Sequence, residues 1–121
     1  MLDYGGGTGI FSELAAQQAA TVICVDRSFS MIDFGQTHRL QNLDLLADSG
    51  FARAAGTVRR IACEDQALGQ GLDSFDVVLV IAVLGYVDAC VRVVGRLGAL
   101  LRPEGLLPAT VPEPRSPVRW A

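Results

Sequence analysis

Between a short extended piece, Met1 to Tyr4, and an amphipathic stretch with Phe11, Leu14 and Ala15 as its inward positions lies the cluster Gly5-Gly6-Gly7-Thr8-Gly9. Glycine has no Cβ and tolerates positive φ, so the backbone there can turn sharply and a ligand can approach it closely. Four glycines in five positions are more than an ordinary tight turn needs. The segment predicts a strand that turns into a helix, which is the opening unit of a parallel α/β sheet. In such a sheet the ligand site lies beyond the carboxyl ends of the strands, at the point where the strand order reverses.

The rest of the chain continues the alternation. Thr21 to Asp26, TVICVD, is β-branched and apolar and ends in an acid, as a buried parallel strand does. Ser28 supplies a helix N-cap for a helix that runs through Met31 and Ile32 to about Ala47. Thr57 to Cys63 reads as a third strand ending at Glu64-Asp65, followed by a weak helical turn at Ala67 and Leu68 and a loop through Gly69, Gly71 and Asp73. Phe75 to Ile81, FDVVLVI, is the most apolar strand, and Asp88 to Leu101 reads as a helix with Val91, Val94, Leu97 and Leu101 along one stripe. Arg102-Pro103-Glu104-Gly105 is a turn, Leu106 to Val111 a fifth strand, and 112–121 a Pro-rich tail. Continuous apolar strands alternating with helices predict a doubly wound parallel sheet covered on both faces, in a single domain over residues 1–111.

Charge and composition exclude several classes. A net charge of -3 with its ten basic residues scattered gives no phosphate-binding stripe, so no nucleic-acid partner is expected. The longest apolar run, Val77 to Gly85, is about half the ~20 residues a membrane helix requires. Cys24, Cys63 and Cys90 stand among apolar neighbours with no CxxC spacing, which predicts core thiols in a reducing cytoplasm. The reading is of a soluble, cytoplasmic protein without a bound metal.

The glycine spacing narrows the ligand. A dinucleotide loop requires GxGxxG, but counting from Gly5 the third glycine position is Ile10, and counting back from Gly9 the first is Tyr4. No Gly-Lys-Ser or Gly-Lys-Thr supplies a phosphate loop either. What remains is an acid followed by GxGxG: Asp3 with Gly5, Gly7 and Gly9. In this the sequence resembles the first motif of the class I S-adenosylmethionine-dependent methyltransferases. The resemblance continues through Val25 to Met31, VDRSFSM, then Cys63-Glu64-Asp65-Gln66, Asp73 to Val78, Ala82 to Val87, Arg96-Leu97, and Leu101 to Leu107. This ordered series is similar to the type 11 small-molecule methyltransferase domain, and it covers Leu2 to about Val111.

The resemblance implies a Rossmann-like sheet in the order 3-2-1-4-5 and S-adenosylmethionine as cofactor. It implies that Gly5, Gly7 and Gly9 bring the backbone against the methionine moiety with Asp3 near its ammonium. Asp26, with Arg27 beside it, would accept the ribose hydroxyls. Met31 would face the adenine, although a helix-core role is equally open to it. Asp65, between Glu64 and Gln66, would accept from the adenine amino group. Val80 to Ala82, with Ile81 at the centre, would border the methionine end and the methyl acceptor. No catalytic residue is identifiable, and His38 reads as a solvated helix residue.

The sequence departs from the family at Glu104, which replaces a glycine, at Tyr86, where histidine is frequent, and at Pro108, inside the fifth strand. Met1 stands two residues before Asp3, and the family's last two strands have no counterpart, so the domain is expected to be truncated at both ends. The fifth strand would then be an edge, where Pro108 is tolerated and self-association is possible. Two functions stay open. One is methyl transfer from S-adenosylmethionine to a small-molecule acceptor. The other is a truncated or degenerate copy without activity, acting at most as a cofactor- or partner-binding module.

Overall fold

The structure, a computed structural model, describes residues 1–18, 21–48, 50, 56–64, 74–86 and 89–111. The chain runs β1 (Leu2–Tyr4), α1 (Ile10–Ala16), β2 (Thr21–Asp26), α2 (Phe29–Thr37), α3 (Arg39–Asp48), β3 (Thr57–Ala62), β4 (Phe75–Leu79), a single 3-10 turn (Leu84–Tyr86), α4 (Cys90–Gly98) and β5 (Leu101–Leu106). The strands form one parallel sheet, as the residue pattern predicts, in the order β3-β2-β1-β4-β5 that the family resemblance implies. The expected turn at Ala67 and Leu68, the start of the fourth helix at Asp88 and the Pro-rich tail lie outside the described residues.

Register assigns each side chain to a face, because paired residues on neighbouring strands point the same way. Leu2 pairs with Ile23 and Val78, and Tyr4 with Val25. These residues, with Val80, pack against Val93 and Leu97 of α4 as the apolar core. Asp3 pairs with Cys24, and Cys24 with Arg60, so these three form one row on the opposite face.

Four expectations are corrected. First, α1 turns Ser12, Glu13 and Ala16 inward and leaves Phe11 45% exposed, because the row it covers is polar and Glu13 finds cations there. Second, the long helix after Ser28 breaks at His38. The His38 ring stacks on Phe34 at 3.9 Å and its Nδ1 lies 2.9 Å from the Phe34 carbonyl, while its backbone leaves the helical region at φ -103, ψ 20. Third, α4 buries Val93 and Leu97, one turn apart, whereas Val91 is 89% exposed. Fourth, the turn Arg102 to Gly105 lies inside β5. Phe75 pairs with Leu101 and Val77 with Leu106, so the intervening residues bulge from the ladder with Glu104 at φ 66. Past β5, among the described residues, Ala109 bridges to Val80; the Pro108 carbonyl accepts from the Val80 N–H at 3.0 Å, a role that needs no proline donor.

Candidate functional site

At the carboxyl end of β1 the chain is held to its neighbour before it turns. The N–H groups of Gly5 and Gly6 both donate to the Val25 carbonyl, at 2.8 and 3.1 Å, and the Gly9 N–H donates to the Gly6 carbonyl at 2.9 Å. Gly5, Gly7 and Gly9 adopt φ of 68, 58 and 86, in the left-handed region that side chains rarely occupy. A Cβ on Gly7 would stand 3.2 Å from the Met31 methyl, and one on Gly5 would run into Val83. Gly6 is constrained from below: a Cβ there would lie 2.6 Å from Cys24 Sγ and 2.7 Å from Asp3 Oδ2. The GxGxG pattern passes over Gly6, yet the packing requires it.

Asp26, at the end of β2, ties this loop to α2. Its Oδ2 accepts from the Gly7 N–H at 3.0 Å and its Oδ1 from the Ser28 N–H at 2.8 Å. Ser28 caps α2 as expected, its Oγ accepting from the Met31 N–H at 3.4 Å. Each Asp26 oxygen makes one such bond, and a carboxylate oxygen can accept more than one.

These groups border a cavity of about 250 Å³. Gly5, Gly7, Asp26, Arg27 and Met31 of the predicted set line it, as does Ala82 of the predicted stretch Val80 to Ala82, joined by Tyr4, Val25, Cys63 and Val83, to which the sequence reading gave no role of their own. The added residues sit at or just past the ends of β1, β2, β3 and β4, so a strand-end signal was present in the sequence, but which ends converge is a property of the sheet. Ala82 adopts φ 55, and its N–H donates to Thr110 Oγ1 at 2.6 Å, which holds that wall in place.

The other predicted residues fall elsewhere. Asp3 lies beneath the loop, Gly9 is buried at the loop's end and Ile81 is half-buried, none of the three lining the cavity, while Glu64 is exposed. Asp65 and Gln66 lie outside the described residues. Asp3 is 2% exposed and accepts from the Ser12 hydroxyl at 2.6 Å. Burial raises its pKa above the ordinary 3.8, against the Ser12 hydrogen bond, and the Asp26 charge adds to the rise. The Cys24 thiol beside it is pushed up to about 11, chiefly by burial. Of the other cysteines, Cys63 and Cys90 are half-buried, and no disulfide joins the three.

Among the described residues no group of three or more His, Cys, Asp or Glu could hold a metal ion, and no helix is long and apolar enough to cross a membrane. No curated protein matches the sequence. Solved structures do share its fold. Magnesium protoporphyrin IX methyltransferase (ChlM) from Synechocystis PCC 6803, with bound SAM, is 23% identical at a TM-score of 0.62 over 83% of this chain and 43% of its own. The DhpI-SAM-HEP complex is 18% identical at a TM-score of 0.65 over 88% and 43%. The [4+2]-cyclase SpnF is 20% identical at a TM-score of 0.63 over 88% and 36%. The chain thus spans less than half the length of each of these proteins. Residues 1–120 match the profile of a methyltransferase domain, and it is to this methyltransferase-domain family that the chain belongs.

Proposed function

We propose that this chain carries the cofactor core for S-adenosylmethionine-dependent methyl transfer to a small-molecule acceptor. The observation that carries the reading is the cavity above the glycine loop, where Gly7 leaves room that any Cβ would fill beside the Met31 methyl and where Asp26 keeps acceptor capacity. These residues fit the cofactor's parts. Gly5 and Gly7 would lie along the methionine moiety, Asp26 would accept from the ribose hydroxyls, and the polarizable Met31 would cover the adenine. When bound, the cofactor supplies an electrophilic methyl on a sulfonium, which leaves as a neutral thioether when an acceptor lone pair takes the methyl. The chain's own part is to fix the loop and exclude water with Val25, Val83 and Ala82, so that acceptor and methyl meet in line. Asp3, buried beneath the loop, would act on the methionine end through the loop's position.

The small-molecule acceptor is supported by ChlM, a magnesium protoporphyrin IX methyltransferase of the same fold. A second reading, a truncated or degenerate copy without activity that acts at most as a cofactor- or partner-binding module, draws support from the chain's spanning less than half the length of the solved structures it resembles. The edge position of β5, with Leu106 and Val111 exposed, supports self-association, which light scattering measures. Calorimetric titration with S-adenosylhomocysteine and with NADH tests the cofactor. Tighter binding of the homocysteine ligand is expected, and tighter binding of NADH would overturn the reading. Transfer of labelled methyl to candidate acceptors separates the enzyme from the module.

A further inference from the structure

We infer that Arg60, on the edge strand β3, is a positioning residue for the cofactor loop, holding it from beneath through the Thr8 carbonyl and a buried ion network with Glu13. The inference rests on the proposal that this loop holds the cofactor. The Arg60 side chain is 3% exposed and that of Glu13 is fully buried. Arg60 Nη2 donates to Glu13 Oε1 at 3.0 Å and, with a longer bond of 3.4 Å, to the Thr8 carbonyl. Its guanidinium occupies the space beside Gly9, with Nη2 2.9 Å and Nε 3.2 Å from where a Cβ would stand. Arg39 Nε completes the network on the same Glu13 oxygen at 2.9 Å.

The cost of this arrangement argues that it does more than fill space. Two buried charges lose hydration that their attraction only partly restores, and apolar side chains of like volume would stabilise the fold as well or better. Arg60 Nε is moreover buried with no hydrogen-bond partner, so the guanidinium is not placed for its own satisfaction. What the placement does achieve is a second grip on the loop. Asp26 accepts from the Gly7 N–H on the cavity side, and Arg60 donates to the Thr8 carbonyl on the opposite side. The α2 backbone at Gly35 closes against the same carbonyl, where a Cβ would collide with it. Adjacent residues of the loop are thereby held by two side chains from neighbouring strands, Asp26 of β2 and Arg60 of β3, and the left-handed conformations at Gly7 and Gly9 are set before any ligand arrives.

Amide hydrogen exchange in the ligand-free chain tests this, with R60M and R60K read beside the parent. In R60M the Gly7 and Gly9 amides should exchange about tenfold faster or more relative to β2 amides, and S-adenosylhomocysteine should bind about tenfold more weakly, a loss of preorganisation rather than of contact. R60K should restore the pair with Glu13 and much of the melting temperature, yet leave the loop amides fast, because the lysine ammonium ends one bond short of the position of Nη2, which donates to both oxygens, and so keeps the shorter ion pair and loses the longer bond to the Thr8 carbonyl. Should R60M fail to fold, R60K alone decides. Loop exchange in R60K equal to the parent, or a rise spread evenly over β2 and β3, overturns the inference and leaves Arg60 a structural residue. If the parent binds no S-adenosylhomocysteine while the loop amides respond as expected, the cofactor reading fails and the positioning role stands.

Discussion

Under α4 the sheet buries Leu2, Tyr4, Val25, Val78 and Val80 against Val93 and Leu97. Under α1 it sets Asp3, Cys24 and Arg60 in a row across three strands, against Ser12 and Glu13. Both faces exclude water, and they use it differently. Burying a Val or Leu side chain is worth about 1.5–3 kcal/mol and has no direction, so the α4 face stabilises whatever shape fills it. A buried ion pair roughly breaks even, but its hydrogen bonds are directional. The comparison teaches that this fold takes its stability from one face and the geometry of its loop from the other.

The largest effects should come from damaging each face in turn. Glu13→Ala leaves the Arg60 charge buried without its carboxylate and should cost about 3–5 kcal/mol of unfolding free energy, comparable to the about 2–5 kcal/mol expected for Leu97→Ala. The faces separate when the pair is replaced together: Glu13→Leu with Arg60→Met should recover most of that stability in urea denaturation yet keep the weakened ligand binding. Recovery of both would erase the distinction.

Gly7→Val comes next. Its φ of 58 makes a side chain strained by about 1–2 kcal/mol, and the added atoms enter the cavity, so S-adenosylhomocysteine binding should disappear in calorimetry; normal binding would reduce the cluster to a turn. Asp26→Ala should weaken binding by about 1.5–3 kcal/mol, the scale of charge-assisted hydrogen bonds, and should also lower the melting temperature, because the Gly7 and Ser28 N–H groups lose their acceptor. An unchanged dissociation constant would move the ribose site elsewhere.

The smallest effect is a pH dependence on the polar face. The Asp3 pKa is raised in the folded state, so between the ordinary 3.8 and that raised value the native chain binds more protons than the unfolded one. Asp3 therefore contributes most below 3.8, and that contribution is lost as pH rises through the folded value. Asp3→Asn removes the titration and keeps an acceptor for Ser12. Its stability relative to the parent should rise with pH across that window and then level off. A flat difference in denaturant melts from pH 3 to 7 would show that Asp3 carries no burial penalty.

Much of the site was legible because its signals are local. The strand Thr21–Asp26, the Ser28 cap and the glycine loop each follow from the residues at hand: β-branched side chains, a hydroxyl placed to accept from Met31, and glycines where φ must be positive. Gly6 was not legible, since what it must avoid, Cys24 and Asp3, lies on two different strands. Likewise Tyr4, Cys63 and Val83 line the cavity only because separate strand ends converge there.

By itself, then, the sequence determined the alternation of strands and helices and the conformation of the loop, because apolar periodicity and glycine's freedom act over a few residues at a time. Only the tertiary structure decided which way α1 faces. On hydrophobicity Phe11 belongs inside, but Glu13 takes the buried place because Arg39 and Arg60, distant in the chain, meet it there. The same holds for β5, whose bulge at Glu104 appears only when Leu101 and Leu106 are both paired to β4. Burial of a charge is settled by its partners in space, and no local pattern encodes them.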